Sequence, residues 1–216
     1  MSSNERPRNL QRELEEIIKK TEASGIRPKL LLHICCAPCS SYCLEYLDKY
    51  FDITVYFANS NIDDPQEYVK RREEERRLLA QMPLSRPVAM LEGPYDPDGY
   101  HQLVRGHELD PEGGERCGIC FTMRLEQAAR AAAQMGADYF TTSLSISPLK
   151  NAARLCAIGE SAGEKYGVAY LPSDFKKKDG YKRSIELSRE YGLYRQNYCG
   201  CSYSLAESLK RRQTSE

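Results

Sequence analysis

Five short apolar segments, separated by segments with helical spacing, constrain the fold of this chain more than any other feature of its sequence. The apolar segments are rich in β-branched and aromatic residues and lie at 30–34, 53–57, 87–91, 139–142 and 168–171. Amphipathic or alanine-rich segments predict helices at 10–22, 40–50, 65–82, 117–135, 150–166 and 181–191. Strands that alternate with helices form βαβ units. The pattern therefore predicts an α/β fold, in which a parallel sheet of about five strands carries helices on both faces.

The length of the chain suits one domain with a sizeable core, because 216 residues is an ordinary size for a single α/β domain. We expect this domain to span 29–212 and to follow an N-terminal helical extension at 1–28. The segment 93–116, rich in Pro, Gly and Asp, is a candidate lid or insertion. The polar N-terminus and the lack of an apolar run of about 18 residues predict a cytoplasmic protein without a membrane segment.

Polar and reactive residues follow the predicted strands where each one ends. Cys35 and Cys36 come after the first strand, residues 59–63 after the second, and Tyr95 and Asp96 after the third. Residues 143–147 and 173–174 follow the fourth and fifth strands. In parallel sheets of this kind, ligands bind at the carboxyl ends of the strands. We therefore expect one rim of the sheet to hold the functional site.

Seven of the nine cysteines fall into three tight groups, at 35–39, 117–120 and 199–201. Thiols used for packing would be scattered singly, whereas close spacing lets several sulfurs converge on one ion or cluster. In a reducing compartment, such groups indicate metal ligands or redox thiols rather than structural disulfides. The other two, Cys43 and Cys156, stand among apolar helix residues and are predicted to be core.

The first two groups supply four thiolates from a strand end and a helix start, namely Cys35, Cys36, Cys117 and Cys120. Four sulfurs suit an iron-sulfur cluster or a zinc ion. Adjacent cysteines argue for the cluster, because two neighbouring residues reach a single ion less readily than they reach separate iron corners. Cys39 lies one helical turn beyond Cys36, and three roles are open for it: ligand to an additional metal, reactive thiol, or packing.

Cys199 and Cys201 form a separate unit, because two cysteines that flank one glycine can close only a strained disulfide ring. Strained disulfides are readily reduced, so the pair suits a dithiol that delivers two electrons and is later reduced again. Two extra metal ligands or two unrelated thiols are the alternatives.

Positive charge is concentrated near the C-terminus, although the net charge of the chain is zero. Basic residues there stand beside Tyr191, Tyr194, Arg195 and Tyr198, an arrangement typical of surfaces that bind unstacked RNA bases. The predicted tRNA contacts are Lys176, Lys177, Lys178, Lys182 and Arg183. By contrast, the alternating charges at 71–77 predict a solvated helix face with ion pairs at i,i+4 spacing.

Several ordered segments carry a resemblance to a known family. They read LLHICCAPCS from Leu31, DITVYF from Asp52, NSNI from Asn59, CGICFTMRL from Cys117, TSLSISPLKN from Thr142 and YCGCSYS from Tyr198. Together they resemble the QueH-type epoxyqueuosine reductases, over about residues 29–205. Several motifs in the same order are far more specific than any one CxxC pair.

The resemblance implies a fold related to the adenine-nucleotide α-hydrolase (HUP-like) group. It also implies a [4Fe-4S] cluster on Cys35, Cys36, Cys117 and Cys120, and a redox-active disulfide of Cys199 with Cys201. The implied reaction reduces epoxyqueuosine to queuosine at the wobble position of tRNA, the last step of queuosine biosynthesis, without cobalamin. The implied partners are a tRNA that carries epoxyqueuosine and an external electron donor. The role of Cys39, including that of ligand to an additional iron, stays open.

Reduction of an epoxide takes two electrons and two protons, and the protons could come from Asp63, Tyr95 or Asp96 at the same rim.

The residues themselves leave other functions open. A tRNA-thiolating enzyme of related fold would need a glycine-rich phosphate loop after the first strand, and that loop is missing. A plain thiol oxidoreductase would leave four cysteines unexplained. A non-catalytic, zinc-stabilised RNA-binding module is the main alternative.

Overall fold

The computed structural model describes residues 8–213, and within them an α/β fold forms around one parallel sheet. The strands are β1 (Lys29–Ile34), β2 (Asp52–Phe57), β3 (Ala89–Glu92), β4 (Tyr139–Thr142) and β5 (Ala169–Tyr170). The helices are α1 (Leu10–Ser24), α2 (Ala37–Leu47), α3 (Pro65–Gln81), α4 (Pro97–Leu103), α5 (Glu115–Gln134), α6 (Ala152–Tyr166), α7 (Gly180–Glu190) and α8 (Ser202–Gln213). A short 3-10 helix spans Ser143–Ile146.

The strand order in the sheet is β3-β2-β1-β4-β5, and every neighbouring pair is parallel. The predicted fold class is confirmed: the architecture is α/β and consistent with the HUP-like group. All five strands lie where the apolar segments predicted them, although β5 contains only two residues. The sequence pattern did not predict α4, the 3-10 helix or α8.

Alternate residues of β1 enter two different apolar cores. Leu30 and Leu32 pack with α1, α2 and α7, whereas Leu31 packs with alanines of α5 on the opposite face. This alternation follows from the period of two along a strand. Because both faces are covered, β1 is buried almost completely, and its carboxyl end opens into the middle of the rim.

Local signals explain where the helices next to the rim begin. The side chain of Asp64 accepts from the backbone N–H of Gln66, and Pro65 occupies the first turn of α3. The Asn151 side chain caps α6 in the same way, through the N–H of Arg154.

Near the N-terminus, Leu14 and Ile18 of α1 pack into the main core. Residues 1–7 of the predicted extension lie outside the described residues.

No helix within residues 8–213 combines the length and the apolar character that crossing a membrane requires. The predicted domain limits and the lid at 93–116 stay predictions. That segment contains α4, and it joins β3 to α5.

Candidate metal and redox site

Three cysteine sulfurs converge at the carboxyl end of β1. Cys35 and Cys36 follow the strand directly, and Cys39 lies in the first turn of α2. The three Sγ atoms all lie within 4.8 Å of one another, and the Sγ atoms of Cys35 and Cys36 are 3.6 Å apart. A tetrahedral ion with metal–sulfur bonds of about 2.3 Å holds its sulfur ligands roughly 3.8 Å apart. The triad could therefore bind a metal ion, and the adjacency of Cys35 and Cys36 is no obstacle to a shared ion.

Protonation within the triad is uneven. Hydrogen bonds from Cys36 and Cys39 hold the pKa of Cys35 well below its usual range, against the opposing effect of burial. The hydrogen bond with Cys35 is in turn the main cause that raises the pKa of Cys36 to about 12. The same contact is the main cause that raises the pKa of Cys39. The triad loses one proton readily. It becomes fully deprotonated only when a cation compensates three thiolates in one place.

The second cysteine group lies on the first turns of α5 and is not part of the triad. Cys117 accepts from the backbone N–H of Gly113 at 3.2 Å and packs on the apolar cluster that contains Cys35 and Cys36. Cys120 is buried in a different cluster, beside Tyr100 and Cys201. Helix α5 therefore presents one thiol toward the triad and one toward the third cysteine group.

Cys199 and Cys201 are free thiols that face different surroundings. Cys199 lines a pocket, whereas Cys201 is buried with Cys120 and Tyr100. Gly200 between them has a φ of +130°, and a Cβ there would lie 2.8 Å from Cγ1 of Ile62. This position requires glycine both for its backbone angle and for space.

The pocket beside Cys199 is partly open to solvent and has a volume of about 250 Å³. Cys35, Cys39 and Cys199 line it together, so thiols of the first and third groups share one cavity. Pro148, Lys150, Tyr181 and Arg195 are also in its lining, as is Glu112 from the segment 93–116. This volume lies just below that of pockets for drug-sized ligands, roughly 300–1,000 Å³.

Three cationic side chains surround the cysteines. Arg124 is fully buried; it donates to Nε2 of His33 at 3.3 Å and to Oδ1 of Asn59 at 2.5 Å. Its Nη1 atom has no hydrogen-bond partner among the described residues. Burial lowers the pKa of Arg124 and of the half-buried Lys150, but neighbouring cysteines, including Cys199 and Cys35, raise both above their usual values. Arg71 is the third, since its charge lies close enough to Cys36 to oppose the rise in the pKa of that thiol.

Buried cations of this kind are costly unless anions compensate them. Thiolates, alone or as ligands of an anionic cluster, would supply that compensation here. The donor set and the charges around it therefore fit a thiolate-bound metal centre.

His33 has a structural position in the centre of the sheet. Its Nδ1 lies 2.8 Å from Oγ1 of Thr142, and its Nε2 accepts from Arg124. Burial is the main reason why the pKa of His33 falls to about 3, and Arg124 adds to the effect. The histidine is neutral and helps to orient Arg124.

Cys43 and Cys156, the two predicted core cysteines, are buried with relative exposures of 0% and 2%. Each of the three predicted proton donors forms a hydrogen bond. Tyr95 donates to the carbonyl of Ile62, and the side chain of Asp96 accepts from the N–H of Gly99 and caps α4. Asp63 lies beside the third cysteine group, where it accepts from the backbone N–H of Ser202.

The five predicted tRNA contacts differ in their partners. Three are engaged: Lys176 with Asp174, Lys178 with Glu15 and Arg183 with Glu45. Lys177 and Lys182 are exposed, and the described part of the chain shows no ion pair for either. Their role in tRNA binding stays a prediction.

Sequence reasoning missed Arg124, Arg71 and Lys150. A signal existed for Arg124, because it follows Cys120 by four residues on a helix and therefore shares its face. A signal also existed for Lys150, because it stands in the quoted segment that begins at Thr142. For Arg71 the pattern carried no signal, since its contacts come from a distant segment.

Comparison with known proteins bears directly on the family of this chain. The family model described as "Epoxyqueuosine reductase QueH" matches residues 30–207. This match decides the family. The chain belongs to the QueH family.

Relatives named epoxyqueuosine reductase QueH share this family assignment. The protein from Streptococcus pyogenes serotype M1 is 46% identical over 198 residues, which cover 91% of this chain and 78% of the relative. The one from Staphylococcus aureus strain Mu50 is 44% identical, covering 91% and 83%. The one from Haemophilus influenzae strain Rd is 39% identical, covering 91% and 80%. The resemblance to the QueH family is thus confirmed, and the QueH match includes all three cysteine groups.

Proposed function

We propose that this QueH family member is an oxidoreductase that reduces epoxyqueuosine to queuosine in tRNA. The observation that carries the proposal is the shared pocket, because Cys199 lines the same cavity as Cys35 and Cys39. The reaction converts an epoxide, two electrons and two protons into an alkene and water. The pocket places a candidate electron source, the dithiol, next to a candidate metal centre.

We assign Cys35, Cys36, Cys117 and Cys120 as ligands of a [4Fe-4S] cluster, with Cys39 as an additional iron ligand or a reactive thiol. Cys117 supports this assignment because it packs on the cluster of side chains around Cys35 and Cys36. When bound, the metal centre would supply Lewis acidity toward the epoxide oxygen and a route for electrons. Arg124, Arg71 and Lys150 would compensate the negative charge of the thiolate ligands.

The chain's own residues would provide electrons and protons on the other side of the pocket. Oxidation of Cys199 and Cys201 to a disulfide releases two electrons and two protons, which balances the reduction of the epoxide. Asp63 is the proposed carrier of protons: its Oδ1 lies 3.0 Å from Nε2 of His101, which is partly exposed to solvent. An external reductant would then restore the dithiol.

For the substrate, we propose that the wobble nucleotide leaves the anticodon stack and enters the pocket. Tyr181 and Tyr198 in the lining offer surfaces for base stacking, and Lys150 and Arg195 offer positive charge toward phosphate. Lys177 and Lys182 are the proposed contacts to the flanking backbone.

The first experiment is metal and sulfide analysis of protein purified without oxygen, followed by incubation with tRNA that contains epoxyqueuosine. About four irons and four sulfides per chain, and nucleoside mass spectra that show loss of one oxygen from epoxyqueuosine, would support the proposal. Cys35→Ser and Cys117→Ser should lose iron, whereas the core variant Cys156→Ser should keep it.

The triad geometry also fits a single ion, so the zinc-stabilised RNA-binding module keeps a specific observation in its favour. About one zinc per chain, no iron after anaerobic reconstitution and no conversion of epoxyqueuosine would support that function instead.

A further inference from the structure

The charged helix α3 is only partly the solvated surface that its sequence predicts, because Arg76 and Glu73 are exposed and paired with each other, whereas other charged residues are buried. Arg71 has a relative exposure of 1% and Glu75 of 0%. Both are large polar side chains, and Glu75 accepts from the Ser40 hydroxyl of α2 at 2.7 Å. A buried charge needs hydrogen-bond partners or an opposite charge nearby. Arg71 finds such partners in the backbone carbonyls of Tyr198 and Cys199, so this side of α3 holds the segment that contains them.

Side chains of α3 hold the segment 191–201, which connects α7 to α8 without regular secondary structure. Arg77 donates to the carbonyls of Tyr191 at 3.0 Å and Gly192 at 3.2 Å. Glu74 accepts from the backbone N–H of Tyr194 at 2.7 Å. These residues and Arg71 are spaced by three along the helix, which places them on one face.

Arg71 reaches the end of this segment that carries the redox cysteines. Its Nη1 donates to the carbonyl of Cys199 at 2.9 Å, and its guanidinium lies over the ring of Tyr198 at 5.1 Å. Glu67, one turn earlier, fixes the guanidinium through Nε at 2.7 Å. From the other side, the N–H of Asp63 donates to the carbonyl of Gly200 at 3.4 Å. The peptide groups on both sides of the glycine are therefore held while the two thiols are free.

A disulfide between Cys199 and Cys201 requires a change in this loop. The sulfurs must approach to about 2 Å, whereas Cys199 now lines the pocket and Cys201 lies with Cys120 and Tyr100. We expect closure of the short ring to rotate the peptides that Arg71 and Asp63 hold, because the ring includes both of them. Interactions that exist only in the dithiol state stabilise that state relative to the disulfide.

We propose that Arg71 is a positioning residue that holds the Cys199–Cys201 loop in its dithiol conformation and thereby raises the reduction potential of the pair. The inference rests on the redox role of this pair in the proposed function. In the step concerned, two S–H bonds break and one S–S bond forms; the two electrons and two protons pass to the epoxide, which leaves an alkene and water. A higher potential makes the disulfide easier for the external donor to reduce again.

The test is the thiol–disulfide equilibrium of the pair in the anaerobically purified protein with its metal centre. Parent, Arg71→Gln, Arg71→Lys and the surface control Arg76→Gln are equilibrated with mixtures of reduced and oxidised dithiothreitol, alkylated, and analysed by peptide mass mapping. In Arg71→Gln the equilibrium should shift toward the disulfide by at least about tenfold, equal to about 30 mV. Arg71→Lys should give a smaller shift, because it keeps the charge but loses the forked donor. Arg76→Gln, whose arginine is 48% exposed, should match the parent.

A measurement on the parent keeps the inference testable if the Arg71 variants do not fold. Amide hydrogen exchange in 194–203 should be faster in the disulfide form than in the dithiol form, because the contacts with α3 are released. A folded Arg71→Gln with parental iron content and an unchanged equilibrium would overturn the role of Arg71, and so would equal exchange in the two forms of the parent.

The outcomes also separate this inference from the proposed function. A parent that forms no 199–201 disulfide at any dithiothreitol ratio would overturn both. A shifted equilibrium in Arg71→Gln without conversion of epoxyqueuosine by the parent would overturn the proposed function and leave the positioning role supported.

Discussion

Cys199 and Cys201 are close in sequence, yet only Cys199 lines the pocket that also contains Cys35 and Cys39. The Cys199→Ser variant should keep its iron, because this residue is not among the proposed cluster ligands. It should lose repeated turnover by about a hundredfold or more, because one thiol cannot form the disulfide that releases two electrons. The measurement is product formed per enzyme over time, with dithiothreitol as electron donor.

The matched control is Cys156→Ser, a buried cysteine in a different core, which should turn over like the parent. Repeated turnover by an iron-loaded Cys199→Ser would contradict the dithiol role.

Glu75 gives a prediction for pH. Burial raises its pKa to about 8, although the Ser40 hydroxyl, which donates at 2.7 Å, opposes the shift. Because the pKa in the folded state lies above the ordinary value of 4.5, the folded protein keeps a proton that the unfolded chain releases. The stability from this protonated group is present at low pH and is lost as pH rises from about 4.5 toward 8.

Urea unfolding of parent and Glu75→Gln at about pH 5 and pH 8 measures this effect. The parent should lose a few kcal/mol over that interval relative to the variant, at about 1.4 kcal/mol per pH unit. Glu73→Gln, on the exposed side of the same helix, should keep the parental pH dependence. Equal slopes for parent and Glu75→Gln would show that the carboxyl group is not protonated in the folded state.

At the scale of secondary-structure elements, the connection from β5 to α7 and the first turn of α7 carry the proposed tRNA contacts. Lys177 and Lys182 are exposed there, and the described residues give neither an ion pair. The double variant Lys177→Gln/Lys182→Gln should weaken tRNA binding and reduce the slope of log Kd against log salt by roughly one per lost phosphate contact. Filter binding or fluorescence anisotropy at several salt concentrations measures both quantities.

Lys165→Gln is the matched control, since that lysine lies at the far end of α6 from the rim and pairs with Glu126. The same affinity and salt slope in double variant and parent would exclude these two lysines as phosphate contacts.

The elements themselves were largely predictable from sequence, because buried parallel strands read as apolar runs. The rim followed from the topology, and with it the positions of Cys35, Cys36 and the residues after β2 and β4. Helix α8 was not predicted, because its twelve residues are largely polar and few of them are buried. The side of α3 that carries Arg71 and Glu75 was misjudged, because i,i+4 charges look the same whether they pair with each other or with distant backbone groups. Only the fold brings Cys199 next to Arg71.

At the scale of the whole molecule, the proposed metal centre connects β1, α2 and α5, and buried cations from α3 and α5 surround it. Removal of the metal should therefore lower the Tm of the protein. Two causes act together: the folded state loses a ligand that the unfolded chain binds weakly, and Arg124 and Arg71 lose compensating anions.

Differential scanning calorimetry of the protein before and after chelation measures this loss, and Cys35→Ser shows how much of it depends on the triad. The Tm of Cys35→Ser should change little on chelation, whereas that of Cys156→Ser should fall as in the parent. A Tm that chelation leaves unaltered in the parent would mean that the fold does not depend on the centre.

The burial of charge along α3 has a practical consequence for anyone who modifies this protein. Replacing the charges at 67–77 to improve solubility or crystallisation would look harmless from the sequence, because the segment reads as surface. Such a change would detach the cysteine-bearing connection from its support. The resulting protein would be soluble, folded over most of its sheet, and impaired in the segment that carries the proposed redox cysteines.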